Sequence, residues 1–356
     1  MTSYASFAKN YNVDSLSQIV LGAACGELIL GKKIGNKAQL IGAIAGTIPD
    51  LDILLNPFFS DEIIKLQIHR SYSHSMFVHL ILALPFTWIT YRIFKRKIEF
   101  KTWYWLWTVG FITHALLDCC TTYGTQFLLP FTNYLVGFNN IAVLDPFWTI
   151  PFMILLIVCL FIKRDNPKRI KFAWAGLGYG LLYMGYTLVN KYNVHSTLTA
   201  DLKTKQIQYN ELSTTPSIMN NWLWAGIATT QDSIYCADFS VLQKETGIDW
   251  VVYPRNLHLL ENHPAQKDIE VLKWFGQDKY FVTQVGDELH FFIVKWGSMN
   301  PKAKTAEEAF VFYWRIFQEN GIWKCHQLQP EFKDGEMTKI WNQLWHRVLT
   351  KEPLPE

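Results

Sequence analysis

Residues 75–94 read SMFVHLILALPFTWITYRIF, and this mostly apolar stretch decides the fold class. A helix of about 20 apolar residues is long enough to cross the hydrocarbon core of a bilayer. Three other mostly apolar segments meet or approach this length: 103–123, 148–163 and 170–190. Two more, 17–31 and 38–55, are shorter and rich in Gly and Ala. The sequence therefore predicts an α-helical polytopic membrane bundle of about six helices. The two short segments are expected at its centre, because small residues permit close helix packing.

Composition agrees with a chain that is partly embedded in lipid. Half of the 356 residues are hydrophobic, 15% are aromatic and only 18% are charged, whereas soluble domains carry about 25% charged residues. The first 16 residues are polar and mixed, so a cleavable signal peptide is not expected. No basic aromatic surface suits nucleic acid, so nucleic acid is not an expected partner.

Lys and Arg are distributed unevenly between the predicted spans. The connections after the first, third and fifth spans carry thirteen of them, and the opposite side of the bundle carries three. Basic loops remain in the cytoplasm. We therefore expect the N-terminus, the loops at 56–73 and 124–147, and all residues after 190 to lie outside the cytoplasm.

Residues 191–356 have a different pattern from the membrane-embedded domain predicted at 1–190. Short alternating runs at Tyr280–Val282 and His290–Val294 flank a turn signal at Gly286-Asp287, and the strand-like run 310–317 is followed by Asn320-Gly321. This pattern predicts a soluble, extracytoplasmic, β-rich (α+β) C-terminal domain with hairpins. A disulfide between Cys236 and Cys325 is left open, since such bonds form outside the cytoplasm.

Ionisable side chains in the predicted spans are clustered rather than scattered. Such groups are costly in a membrane and by default mark functional sites. With the topology fixed from Lys and Arg alone, each falls at the outer end of its predicted helix: Asp14, Asp50, Asp52, His69, Arg70, His74, His114 and Asp118. Their common depth predicts one site at the outer face of the bilayer.

Histidine nitrogens and carboxylate oxygens are ligands of Zn²⁺. His114 and Asp118 are four residues apart on one helix face and can ligate one ion or bridge two. His69 is expected to approach from a loop, and Asp50 or Asp52 to complete the shell. A divalent metal, with Zn²⁺ preferred, would lower the pKa of bound water to about 7 and supply hydroxide.

Three further residues are predicted to take part in catalysis. His74 is expected as a ligand or as the general acid/base, and Arg70 as the group that holds a substrate anion, because guanidinium matches phosphate or carboxylate. Asp14 is the third candidate, with a plain helix N-cap as its alternative. Separately, Asp50 and Asp52 could cap a helix or pair with Arg70, and one HxxxD motif alone is more often a hydrogen-bonded polar pair.

These motifs resemble those of a bacterial inner-membrane family, the YdjM-like membrane-bound metal-dependent hydrolases. The matching stretches are 14–23, Ile48–Asp52, His69–Ser75 and His114–Gln126, with Asp145–Phe147 as a weaker fifth. The resemblance covers about residues 14–165. It implies an integral protein of the bacterial inner (plasma) membrane with a metal site.

A more distant similarity is to zinc-dependent phospholipases C and P1-type nucleases, which cleave phosphodiesters. When the motifs of those enzymes are matched to this chain, their first metal site corresponds to Asp50 or Asp52, together with His69, His114 and Asp118. The chain lacks a second downstream HxxxD, so a three-zinc cluster is not expected. It also has Gln18 where many YdjM-like members have His, and Gln is a poorer zinc ligand.

The sequence thus favours a hydrolase whose metal-activated water attacks a phosphodiester or other ester of a lipid or envelope substrate at the outer membrane face. The alternative is a non-catalytic membrane scaffold, with a structural metal or ion-pair cluster and a partner-binding C-terminal domain. A transporter with a proton relay fits less well, because the inner halves of the spans are almost bare of ionisable groups. Glu27 is the exception.

Overall fold

A computed structural model of the chain describes residues 15–243, 247–300, 303–310, 312–328 and 336–350. The chain divides into two compact units, with the division between Thr187 and Leu188. The N-terminal unit is helical, and the C-terminal unit is built mainly of β-strands. This order of a helical region followed by a β-rich region agrees with the predicted fold class.

Every one of the six predicted apolar segments is helical. The helices are α1 (Ser15–Ile34), α2 (Asn36–Thr47), α3 (Glu62–Ile68), α4 (Met76–Ile93), α5 (Phe100–Cys120), α6 (Pro146–Leu160) and α7 (Pro167–Thr204), which continues past the division. Among the described residues of the helical unit, two stretches adopt the tighter 3-10 conformation. Ile48–Phe58 continues α2, and Tyr72–His74 forms a single turn before α4.

Two helical runs are clear candidates for crossing a membrane, rather than about six. Within the described residues, only Asn36–Phe58 and Met76–Ile93 are both long and apolar enough. Helix α6 is apolar but has 15 residues, fewer than the roughly 20 that a span requires. The prediction of six spans included helices that carry charged residues. Helix α1, for example, contains Glu27 and has Lys32 and Lys33 in its last turn.

Helices α1 and α2 pack with their backbones in contact. A Cβ atom added to Gly22 would lie 2.3 Å from the carbonyl oxygen of Gly42, and one added to Gly42 would lie 2.2 Å from the carbonyl oxygen of Gly22. Gly26 and Gly46 make similarly close approaches. Small side chains permit this close approach of the two helices.

The C-terminal unit contains two four-stranded antiparallel sheets, each with its strands in sequence order. The first comprises β1 (Glu211–Pro216), β2 (Leu223–Thr229), β3 (Ser233–Ser240) and β4 (Val251–Pro254). The second comprises β5 (Tyr280–Val285), β6 (Glu288–Ile293), β7 (Tyr313–Glu319) and β8 (Ile322–Leu328). Three helices accompany them: α8 (Gln266–Gly276), α9 (Ala306–Ala309) and α10 (Glu336–Leu349).

Both predicted hairpin turns are present in the second sheet. Gly286-Asp287 joins β5 to β6, and Asn320-Gly321 joins β7 to β8. Gly286, Asn320 and Gly321 have positive φ, the conformation that such two-residue turns require. In the first sheet every residue of β2 is buried, so its sequence lacks the alternation by which a half-exposed strand is recognised. No disulfide joins Cys236 to Cys325.

The close contact of α1 and α2 gives a stability prediction. Gly42→Ala places a methyl group on the backbone of α1, and we expect it to destabilise the protein by about 1–3 kcal/mol, the usual cost of overpacking. The matched control is Gly178→Ala, because a Cβ atom there meets nothing within 4 Å and alanine favours helix. Thermal unfolding followed by tryptophan fluorescence measures both. Equal midpoints for the two variants would contradict the contact.

Candidate metal centre

Four side chains converge in the helical unit: Asp50, His74, His114 and Asp118. One ligand atom from each lies within 4.8 Å of all the others. The side chains of His74, His114 and Asp118 are almost completely buried, and Asp50 is 13% exposed. Three separate chain segments contribute to this cluster, which we call the four-residue cluster.

Local backbone geometry brings these segments together. The chain tightens from α2 into the 3-10 helix at Ile48, with Pro49 at its start, where the missing N–H is tolerated. Asp50 follows directly. His74 ends the 3-10 turn that precedes α4. His114 and Asp118 lie one turn apart on α5, as their spacing predicted.

The distances between the donor atoms are short and similar. His74 Nε2 lies 3.1 Å from His114 Nε2, 3.3 Å from Asp50 Oδ1 and 3.0 Å from Asp118 Oδ2. His114 Nε2 lies 3.3 Å from Asp50 Oδ1 and 3.4 Å from Asp118 Oδ2. Five of the six distances among the four donor atoms therefore fall between 3.0 and 3.4 Å.

Hydrogen bonds on the far side of each imidazole set its tautomer. His114 Nδ1 lies 2.6 Å from the carbonyl oxygen of Gly46, which can only accept, so Nδ1 carries the proton. His74 Nδ1 lies 2.9 Å from Ser73 Oγ, and Ser73 in turn donates to Asp52 Oδ2. Each ring therefore turns Nε2 toward the cluster, in the arrangement by which metal-binding histidines are usually held.

Asp52 lies beside the cluster and is occupied by other donors. His69 Nδ1 is 3.0 Å from Asp52 Oδ1, while the backbone N–H of Arg70 and the hydroxyl of Ser73 donate to Asp52 Oδ2. Asp52 and His69, both predicted as ligands, are thus paired with one another. The structure brings them next to the four-residue cluster rather than into it.

The two oxygens of Asp118 have different surroundings. Oδ1 accepts a hydrogen bond of 2.7 Å from Gln18 Nε2 and lies 3.4 Å from Arg70 Nη2. Oδ2 has no hydrogen-bond partner among the described residues and faces the two histidines. Asp50 Oδ2 is likewise buried and has no hydrogen-bond partner among the described residues. Carboxylate oxygens without donors are unusual inside a protein and are suited to a cation.

Electrostatics also favour positive charge at this position. Burial by itself lowers the pKa of the His74 imidazolium, but the adjacent carboxylates of Asp118 and Asp50 outweigh burial and raise it. A buried pair of carboxylates therefore attracts a proton or a cation. With both histidines neutral, the cluster carries two negative charges, which a divalent ion would balance.

Arg70, predicted to hold a substrate anion, points into the protein. The residue is 2% exposed, its Nη1 donates to Thr121 Oγ1 over 3.1 Å, and its guanidinium lies over the ring of Tyr123. Its role toward substrate stays a prediction. Asp14, the third catalytic candidate, lies outside the described residues.

Three supporting contacts were not foreseen: those of Gln18 with Asp118, Ser73 with Asp52, and the Gly46 carbonyl with His114. The sequence marked Gln18 as a poorer zinc ligand than His, and Ser73 lies within the His69–Ser75 motif. The Gly46 carbonyl gives no signal in a sequence, because every residue has one. His79 Nε2 lies 2.6 Å from the carbonyl oxygen of Ser73 and so supports this turn.

The fold and the cluster define a helical membrane protein with a candidate metal centre and a β-rich C-terminal region. The YdjM inner membrane protein family matches residues 13–194, just over half of the chain. The chain therefore belongs to the YdjM inner membrane protein family.

The chain is also similar to the uncharacterized protein YfhP of Bacillus subtilis (strain 168), with 26% identity over 201 residues. This match covers 54% of the chain and 57% of YfhP, so the chain spans little more than half the length of that relative. No solved structure matches the chain significantly. These matches do not extend to zinc-dependent phospholipases or nucleases, so that distant resemblance stays a prediction.

The motif 69–75 contains two histidines, His69 and His74, and replacing each in turn tests which residues form the four-residue cluster. We expect His74→Ala to abolish stoichiometric metal binding, because it removes one donor of the cluster. We expect His69→Ala to retain the metal with an affinity lowered by at most about 10–100-fold, the usual effect of changing an outer hydrogen-bond partner. Elemental analysis of the purified variants, followed by chelator competition, measures both. Metal loss in His69→Ala with retention in His74→Ala would reverse the assignment.

Proposed function

We propose that this protein is a membrane-bound metal-dependent hydrolase whose ion is held by Asp50, His74, His114 and Asp118. The observation that carries the proposal is the set of five donor–donor distances between 3.0 and 3.4 Å. A tetrahedral zinc site with bonds of about 2.0–2.1 Å has donors about 3.3 Å apart. The spacing of the side chains thus fits one such ion, and the mixed nitrogen and oxygen donors fit its chemistry.

The exposure of the donors supports a catalytic role over a structural one. Structural zinc sites are closed by four protein ligands, whereas catalytic sites leave one position to water or substrate. Asp50 is 13% exposed, while His74, His114 and Asp118 are at most 1% exposed. We therefore assign Asp50 as the exchangeable donor and the other three as the permanent ones.

The side chains around the ion have distinct tasks in this proposal. When bound, a divalent ion would lower the pKa of a water molecule and polarise the ester. Asp50 Oδ2, which has no hydrogen-bond partner among the described residues, would accept the proton of the attacking water. Gln18 and Arg70 keep Asp118 Oδ1 occupied, so that Oδ2 faces the ion. The bond from Gly46 to His114 fixes the orientation of that ring.

The surroundings of the cluster support an amphiphilic substrate. The 3-10 segment that carries Asp50 exposes Leu54 by 62% and Phe58 by 80%. Tyr72, two residues before His74, is 58% exposed. Exposed apolar groups beside a polar site are expected where a site opens at a bilayer surface. We propose a phosphodiester or other ester of a lipid or envelope component as the substrate.

Membership of an inner-membrane family supports placement in the inner membrane. The Lys and Arg distribution supports the further proposal that the cluster and the C-terminal unit lie on the outer side. In that arrangement the C-terminal unit would restrict access of substrate or bind a partner. The second candidate function, a non-catalytic scaffold, is favoured by one observation: four protein donors suffice to close a structural zinc shell.

Hydrolysis by reconstituted protein tests the proposal. Vesicles with the protein receive a chromogenic phosphodiester, bis(p-nitrophenyl) phosphate, or a fluorogenic short-chain phospholipid. We expect turnover that chelation abolishes and added Zn²⁺ restores, with at least about a 100-fold loss in His114→Ala, since the metal supplies the nucleophile. His258→Ala is the control, because His258 is exposed and belongs to the C-terminal unit.

Two outcomes distinguish the candidate functions. Turnover that persists unchanged in folded His114→Ala protein would contradict the metal-dependent mechanism. Tight, stoichiometric metal without turnover of either ester would instead favour the scaffold. Thermal unfolding of each variant shows whether a loss of activity reflects a loss of folding.

A further inference from the structure

A second polar feature lies toward the other end of α1. The end of α1, the 161–166 connection and the start of α7 enclose a cavity of about 250 Å³. Its lining includes Glu27, Lys32, Arg164, Asp165, Arg169 and Ile170. Gln18 contacts Asp118 near the start of α1, and Lys32 follows fourteen residues later, which is about 21 Å along a helix. The cavity is therefore separate from the four-residue cluster.

The floor of the cavity is a buried ion pair with all its principal groups bonded. Arg169 donates from Nε and Nη2 to the two oxygens of Glu27, each over 2.6 Å. Its Nη1 donates to Asn36 Oδ1 and to the carbonyl oxygen of Ile162. Gln39 donates to Glu27 as well. Two-pronged pairs of this kind are strong and geometrically fixed, so the floor is neutral and rigid.

The mouth of the cavity is positively charged and poorly compensated. Lys32 is exposed and makes no ion pair among the described residues. Arg164 donates from Nη1 to the carbonyl oxygen of Lys33 over 3.5 Å. It also lies 3.7 Å from Asp165, and both side chains are more than half exposed. An exposed pair of this kind contributes little. Lys33, Lys163 and Lys168, each next to a lining residue or one residue away, add to the positive potential.

An apolar surface continues from the cavity along α7. Ile170 lines the cavity, and Trp174 follows four residues later, on the same face of the helix. Trp174 is 57% exposed, and Phe161, in the connection before α7, is 85% exposed. A basic cavity bordered by exposed apolar side chains at a helix end matches a molecule with an anionic head and an apolar tail.

The charge distribution also indicates which leaflet would supply such a molecule. The cavity lies among the basic connections that the Lys and Arg distribution of the sequence predicts to be cytoplasmic. Basic pockets between membrane helices on that side bind the phosphate groups of anionic lipids. We propose that this cavity binds the phosphate of an anionic lipid of the cytoplasmic leaflet, held by Lys32 and Arg164 over the Glu27–Arg169 pair.

Lipid titration of the full-length, purified protein tests this site. The probes are phosphatidylglycerol, phosphatidylcholine and inorganic phosphate, each followed by the thermal unfolding midpoint and by native mass spectrometry. We expect phosphatidylglycerol to bind and to raise the midpoint, and phosphatidylcholine to do neither. Lys32→Gln combined with Arg164→Gln should weaken phosphatidylglycerol binding at least about 10-fold, because binding an anion near the surface depends on these charges.

The matched control removes two charges from another basic connection, by Lys97→Gln combined with Lys101→Gln. Both residues are exposed and lie outside the cavity lining. Equal weakening in the two double variants would overturn the site in favour of a general surface charge effect. An equal midpoint shift with inorganic phosphate alone would overturn the lipid assignment in favour of free phosphate. Metal content, which should remain unchanged in all variants, separates this test from that of the hydrolase.

Discussion

Two carboxylates and two imidazoles buried within 4.8 Å of one another are the constraint on which the helical unit depends. Burying such charges costs several kcal/mol for each ion unless a counter-charge is present. The guanidinium of Arg70 lies 3.4 Å from Asp118 Oδ1 and offsets part of this negative charge. A divalent ion would supply further positive charge. The 3-10 tightening after Thr47 places Asp50 at this point, and the turn before α4 places His74 there. The backbone contact of α1 with α2 holds these segments together.

Buried charges are compensated differently at the two ends of the helical unit. Toward one end, Glu27 and Arg169 neutralise each other completely, with Asn36 and Gln39 satisfying the remaining groups. At the cluster, carboxylate oxygens remain without hydrogen-bond partners among the described residues. A closed ion pair serves to fix helices, whereas an unsatisfied cluster is ready to bind a cation. This difference distinguishes the closed Glu27–Arg169 pair from the candidate metal centre.

Sequence patterns predicted the positions of residues that lie within regular helices and hairpins. The spacing of His114 and Asp118 placed them together on α5, and the turn signals located two hairpins of the second sheet. Patterns could not decide between Asp50 and Asp52, or between His69 and His74, because these residues lie in 3-10 or irregular backbone where the helical period does not hold. Arg70, for example, adopts a positive φ of 56°, which reverses the chain between the two histidines.

X-ray absorption at the zinc edge of zinc-loaded protein tests the central assignment most directly. The account predicts a single shell of nitrogen and oxygen donors at about 2.0–2.2 Å, with the multiple scattering of two imidazoles. Cys119 and Cys120 follow Asp118 directly and are free thiols, so they provide the obvious competing ligands. A sulfur shell at about 2.3 Å, or scattering from fewer than two imidazoles, would contradict a centre built from Asp50, His74, His114 and Asp118.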